Sequence, residues 1–258
     1  MNRLPNRFKQ GLLARRRQIG AWLTSGSPTI TEVFSGSGFD WLLVDMEHSP
    51  NDLLQVVDHL RAAGQRSEII VRVPWNEPVV VKRLLDAGVT SLMFPYVQSG
   101  EEARAAVAAT RYPPHGIRGV AGTTRATDYG RRVRFASASE EIAVVVQLET
   151  PAAIQACGEI AAVDGIDGVF IGPNDLAANM GHLGDANHPD VRAAMIEGAR
   201  IIAAAGKSPG TLAYVPDKVA SPFAEGFDFV GAAFDIGILV RGASQVQADY
   251  ARLRELED

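Results

Sequence analysis

Val144-Val-Val-Gln-Leu-Glu149 and, one helix later, Val169-Phe-Ile-Gly-Pro-Asn-Asp175 decide how this chain is read. Each opens with a continuous apolar, β-branched run, the pattern of a parallel strand covered on both faces; a half-exposed strand would alternate. Each then turns polar at its carboxyl end. An acid at that point, Glu149 in one and Asp175 in the other, stands at the mouth of a parallel sheet or barrel, where α/β enzymes place their chemistry. Taken singly, either acid reads equally well as the cap of the helix that follows it.

Working outward, the same kind of run recurs at Ile19–Thr24, Trp41–Asp45, Ile69–Val73, Ser91–Pro95, Ser208–Ala213 and Phe229–Ala233, which with Ala143–Glu149 and Gly168–Gly172 makes eight expected strands. Between and after them lie segments with helical periodicity: Thr29–Ser37, Asn51–Ala63, Glu77–Ala87, Gly100–Thr110, Pro151–Ala161, His188–Ala205, Pro216–Glu225 and Gly237–Leu256. Pro151 falls at a first helical position, and glycines at 64, 88 and 206 close helices. Parallel strands need crossovers of this size, and eight strands close a barrel. The expected fold is therefore an α/β chain forming one (β/α)8 TIM barrel, a single domain over residues 1–258. An open doubly wound sheet would carry Gly-x-Gly-x-x-Gly after an early strand, and the sequence has none. One stretch breaks the alternation. Tyr112–Arg134 holds Pro113-Pro114, Gly116, Gly119, Gly122 and five arginines, and a loop of that length is a functional or assembly segment. In the last helix, Val246, Tyr250, Leu253 and Leu256 share one face, which implies packing on the barrel or, less commonly, on a neighbouring subunit.

Composition excludes more than it assigns. Hydrophobic residues make up 47% of the chain and charged residues 21%, the balance of a folded globular protein with a sizeable core. A net charge of −5 supplies no basic stripe, so nucleic acid and anionic membrane surfaces are not expected partners. Cys157 stands alone in an apolar segment, as a packed small hydrophobe and not a nucleophile. No apolar run reaches membrane-spanning length, and the N-terminus has no signal-like pattern, so a cytoplasmic location is expected.

Strand ends gather the polar groups that can do chemistry: Trp22, Asp45, Glu47, His48, Arg72, Gln147, Glu149 and Asp175, with Asp86 at the end of the third helix. Each has a structural explanation alone, such as a salt bridge or a capped turn. Together, an acid pair, a fixed cation and a histidine are the parts for metal-assisted chemistry on an anionic, oxygen-rich substrate. Without nearby cysteines or paired histidines a zinc site is disfavoured. Oxygen ligands suit one divalent Mg²⁺, Mn²⁺ or Co²⁺, with positions left for a bidentate substrate and no organic cofactor. Gly172, Pro173 and Asn174 shape a turn whose backbone N–H groups can take a carboxylate.

Several of these segments carry a family resemblance. Phe39–His48, Val71–Pro74, Lys82–Asp86, Arg111–Gly119, Gln147–Thr150, Asp164–Leu176 and Gly206–Gly210 resemble, in order and over nearly the whole chain, the HpcH/HpaI family of metal-dependent (class II) pyruvate aldolases. The resemblance implies a (β/α)8 barrel that cleaves 4-hydroxy-2-oxo acids to pyruvate and an aldehyde. It implies a metal at Glu149 and Asp175, Arg72 on the keto oxygen, and His48 paired with Asp86 to handle the proton of the 4-hydroxyl. It also implies a hexamer in which the last helix packs on a neighbour. Gln147 and Asp45, with Glu47, are expected to support the groups that touch substrate, while Trp22 and Leu212 wall the pyruvate pocket. Where the family often has Ala-Asp-Leu-Ser, this chain has Asn174-Asp175-Leu176-Ala177. Asn6–Lys9, Asn76–Val79, Gly181–Gly184 and His188–Val191 lean toward members acting on 2-keto-3-deoxy-glucarate-type sugar acids.

Three other readings stay open on sequence grounds: an acyl-CoA ester lyase of the related barrel group, a non-enzymatic metal-binding assembly subunit, and a phosphate-binding barrel with Gly206–Gly210 and Gly231 as its cradle.

Overall fold

The computed structural model describes residues 5–132, 135–213 and 219–255. Eight parallel strands close into a barrel in sequence order: β1 (Gln18–Leu23), β2 (Trp41–Asp45), β3 (Glu68–Arg72), β4 (Ser91–Phe94), β5 (Ala143–Leu148), β6 (Gly168–Ile171), β7 (Ser208–Leu212) and β8 (Phe229–Phe234). All eight fall on the apolar runs of the sequence, with no end displaced by more than one residue. Their burial is continuous, because helices cover the outer face while side chains fill the inner one. In β5, Val144, Val146 and Leu148 pack outward under the helices. Ala143 and Val145 point inward to Trp22, Trp41, Phe170 and Phe229, and Gln147 shares their parity.

The helices are α1 (Arg7–Leu13), α2 (Pro28–Ser35), α3 (Leu53–Ala63), α4 (Pro78–Asp86), α5 (Gly100–Thr110), α6 (Phe135–Ala138), α7 (Pro151–Gln155), α8 (Cys157–Ala161), α9 (Pro173–Asn179), α10 (Pro189–Ala204), α11 (Ala220–Ala224) and α12 (Asp235–Glu255). No described helix is long and apolar enough to cross a membrane. The first residues of the expected Pro216–Glu225 helix, and Leu256, lie outside the described residues. Three helices were not expected: α1, the single turn α6, and α9. In α1, Asn6 caps the first turn through Lys9 N–H (2.9 Å), while Phe8 and Leu12 plug the lower end of the barrel against Trp41 and Phe229. In α9, Pro173 occupies the first turn directly after β6. The single expected helix Pro151–Ala161 is divided at Ala156 into α7 and α8. Cys157 is fully buried there, as its apolar neighbours implied.

Arg118 and Arg125 tie the arginine-rich loop to the end of α4. Arg118 Nη2 donates to Asp86 at 2.9 Å and its guanidinium lies over the Tyr112 ring, while Arg125 donates to the Ala87 carbonyl. The last helix departs from the commoner expectation. It meets β1 and β8, but its Val246, Tyr250 and Leu253 are 67%, 57% and 60% exposed, so that face does not pack on its own barrel.

Candidate active site

Side-chain parity carries the apolar barrel interior up into a polar layer at the carboxyl ends of the strands. Asp45 and Arg72 are register partners on β2 and β3. Arg72 donates from Nε to Asp45 Oδ1 at 2.9 Å and from Nη2 to Oδ2 at 2.6 Å, a bidentate pair that is almost fully buried. Its third edge, Nη1, lies 3.0 Å from Glu47 Oε2, and Glu47 stands 3.7 Å from His48 Nε2. Burial opposes the Arg72 charge, but the Asp45 hydrogen bonds and the Asp45, Glu47 and Glu149 carboxylates hold the guanidinium above its ordinary value. Burial raises the Glu47 carboxyl against the pull of Arg72 and His48. The ring of His48 is 62% exposed at the mouth, reachable by a substrate.

Across the mouth, Glu149 follows β5 and is 2% exposed. Its Oε2 accepts from Tyr96 N–H at 2.8 Å and its Oε1 from Gln147 Nε2 at 2.5 Å. Tyr96 reaches that position with φ +55°, a left-handed conformation that costs a non-glycine residue about 1 kcal/mol or more and aims its amide at the carboxylate. Burial, then Glu47 and Asp175, push the Glu149 carboxyl up to about 8, with Tyr96 N–H and Arg72 pulling the other way. Gly172, beside it just after β6, has no room for a side chain: a Cβ would stand 2.9 Å from Glu149 Cγ and 3.0 Å from its Oε1. Gly172→Ala should therefore displace Glu149 and lower kcat by about 10². Unchanged turnover would show that the position of this carboxylate is unimportant.

A cavity of about 540 Å³ joins the two halves, lined by Trp22, Asp45, His48, Arg72, Gln147, Gly172, Pro173, Asn174, Asp175 and Leu212 among others. The donor set fits a hard divalent cation: two carboxylates that raise one another's charge cost, no sulfur, and a buried Gln147 Oε1 without a hydrogen-bond partner. Glu149 and Asp175 are the residues that could hold it.

The expected His48–Asp86 pair is not formed within the chain. Asp86 ends α4, which descends from the mouth to the opposite end of the barrel, and it is paired there with Arg118. Reading strand ends also missed Thr24, Phe170, Phe234, Gly237 and Arg241, which line the cavity, and Tyr96, which contributes only a backbone amide. Parity with Gly168 and Gly172 was the available signal for Phe170; Arg241, on a helix, gave none. The glycine-rich β7–β8 cradle is filled. A Cβ at Gly210 would meet the Phe229 ring and one at Gly231 the Trp22 ring, while Lys207 donates to the Ile166 carbonyl. His182 and His188 stack outside the cavity beside Asp190 at the start of α10.

Beneath the His48 loop, Asn51 donates to the carbonyls of Leu23 and Asp45 and accepts from His59 Nε2 at 3.0 Å. His59 Nδ1 faces Thr31 Oγ1 at 2.5 Å. Burial lowers the His59 pKa from the ordinary 6.5, against the attraction of Asp235 and Asp58. The unfolded chain thus binds this proton more readily. The contribution of the neutral imidazole is complete above pH 6.5 and is lost as pH falls toward the folded value. Denaturant melts between pH 8 and 5.5 should show wild type losing stability on acidification more steeply than His59→Gln; equal slopes would contradict this.

The HpcH/HpaI aldolase/citrate lyase family model matches residues 18–242. A 5-keto-4-deoxy-D-glucarate aldolase of Shigella dysenteriae is 45% identical over 247 residues, covering 95% of this chain and 96% of that protein. Among solved structures, an HpcH/HpaI aldolase/citrate lyase family protein from Burkholderia cenocepacia is 39% identical, with TM-score 0.92 over 95% of this chain and 99% of that one. An HpcH/HpaI aldolase from Desulfitobacterium hafniense is 28% identical, with TM-score 0.85 over 93% and 95% of the two chains. With its closed parallel barrel and its acid pair and buried arginine at the strand ends, this chain belongs to the HpcH/HpaI aldolase/citrate lyase family.

Proposed function

We propose that this protein is a class II aldolase that cleaves 4-hydroxy-2-oxo acids of the 5-keto-4-deoxy-D-glucarate kind to pyruvate and an aldehyde. The observation that carries the reading is the meeting of Arg72, Gln147 and Asp175 on one cavity, with Glu149 buried directly beside Gln147. The name shared by relatives at 45% identity supports the choice of substrate.

Glu149 and Asp175 would hold one divalent cation, Mg²⁺, Mn²⁺ or Co²⁺, which when bound would offset the negative charge that cleavage places on the pyruvate half. Arg72, held by Asp45 before substrate arrives, directs its remaining charge to the keto oxygen without reorganising. The pyruvyl carboxylate lies against the Gly172–Asp175 turn, and Trp22, Phe170 and Leu212 form the apolar wall that limits water. His48, exposed at the mouth, takes the proton of the 4-hydroxyl directly or through water. The C3–C4 bond then breaks and its electrons pass to the pyruvate half. The hydroxyl carbon departs as an aldehyde, and a proton delivered to C3 completes pyruvate. No electrons leave the substrate, so no organic cofactor is needed.

The exposed apolar face of α12, with exposed Ile117, Val120 and Tyr129 of the arginine-rich loop, supports a homo-oligomer, a hexamer on the family pattern, in which these segments become buried. Coupled detection of pyruvate across a panel of 4-hydroxy-2-oxo acids tests the proposal. Release from the sugar diacid is expected; none from any member of the panel would overturn it.

A further inference from the structure

The cavity is lined by a second arginine whose role the cleavage chemistry leaves unassigned. Arg72 is buried and its three guanidinium edges face Asp45 and Glu47. Arg241 lies on the other wall, with Thr24, Phe234 and Gly237, and among the described residues no carboxylate pairs with it. Its position is built by the fold. β8 passes into α12 without a loop, so the first turns of this helix sit at the barrel mouth. Asp235 fixes that start by accepting from Thr24 N–H (3.0 Å), Thr24 Oγ1 (2.8 Å) and Ser25 N–H (3.0 Å). Long helical side chains lean toward the N-terminus and cover the residue four positions earlier. That residue is Gly237, and a Cβ there would stand 3.5 Å from Arg241 Nη1, so the guanidinium lies back along the helix toward the mouth.

A cation with no carboxylate partner among the described residues, on the wall away from the pyruvate anchors, fits a second negative charge on the substrate. We infer that Arg241 forms a distal carboxylate subsite, which selects 4-hydroxy-2-oxo acids whose aldehyde half also ends in a carboxylate. The inference rests on the aldolase reading above and adds the group that distinguishes a diacid from a monoacid. A guanidinium is suited to this because it meets a carboxylate with two parallel N–H donors. Arg72, held by Asp45 and Glu47 at the pyruvate end, is committed to the keto oxygen, which leaves Arg241 for the far end of the substrate.

The test compares kcat/KM for 5-keto-4-deoxy-D-glucarate and for 4-hydroxy-2-oxopentanoate, whose aldehyde half is uncharged, in wild type, Arg241→Gln and Arg241→Lys. Arg241→Gln should lower the diacid-to-monoacid ratio by about 10- to 100-fold, mainly through KM for the diacid, with Arg241→Lys between the two. A ratio unchanged in Arg241→Gln, while wild type cleaves the diacid, overturns the subsite and leaves the aldolase reading standing. Release of pyruvate from neither acid by wild type overturns both. Arg241 is exposed and bears on no buried pair, so equal thermal midpoints for the three proteins are expected.

Discussion

Glu149→Gln should lower kcat by about 10³, the equivalent of several kcal/mol of lost charge stabilisation, while changing the stability of the metal-free protein by no more than about 1–2 kcal/mol. The two effects separate because the carboxylate is poorly suited to its own surroundings. It is buried, faces the charges of Glu47 and Asp175, and is pushed up to about 8 as a result. Glutamine keeps the shape and removes the charge, at the loss of one of the hydrogen bonds from Gln147 and Tyr96. A residue that only capped a helix would behave oppositely, losing stability and keeping turnover. Asp175→Asn should show the same pattern, more cleanly because Asp175 is exposed to the cavity. Thermal melts with and without Mg²⁺ or Mn²⁺ give a readout independent of turnover: the metal should stabilise wild type and leave both variants unmoved.

The second large effect concerns Arg72, where catalysis and stability fall together. Removing a preorganised cation costs about 10²–10³ in rate. In addition, Arg72→Ala strands Asp45, which is 1% exposed and loses both of its guanidinium hydrogen bonds, and breaking a buried pair from one side costs about 3–5 kcal/mol. The double variant Asp45→Asn/Arg72→Met removes the stranded charge and should recover most of that stability in denaturant melts, but none of the turnover. If the double variant regains activity with stability, Arg72 serves the fold alone. If Arg72→Ala is as stable as wild type, the bidentate pair contributes little.

Much of this arrangement is legible in the sequence because barrel strands announce themselves as buried apolar runs with chemistry at one end. The parity that makes Val145 a core residue carries Gln147 inward, and the β2–β3 register sets Asp45 against Arg72. Other parts depend on information that no local pattern holds. Phe8 and Leu12 lie one helical turn apart behind an Asn6 cap, a detectable signal, but too brief to distinguish α1 from a frayed terminus without the barrel end it plugs. The seven residues of α9 are likewise shorter than a periodicity can reveal. Asp86 was paired with His48 by resemblance, whereas chain geometry takes a helix that starts at the mouth down to the other end, where Arg118 of the long loop meets it. Tyr96 acts through a backbone amide, which its side chain does not announce, and Arg241 lines the cavity from a helix whose place at the mouth is set by the closed barrel.

The proposed site makes its central demand on the pyruvate half, whatever aldehyde the protein accepts. Exchange of the pyruvate methyl protons with D₂O, followed by NMR, reads that half alone. The acid pair and Arg72 predict exchange by wild type that stops on chelation, returns with Mg²⁺, Mn²⁺ or Co²⁺, and is absent in Glu149→Gln at every metal concentration. Exchange that continues at full rate in chelated protein, or in Glu149→Gln, would contradict the assignment of these carboxylates.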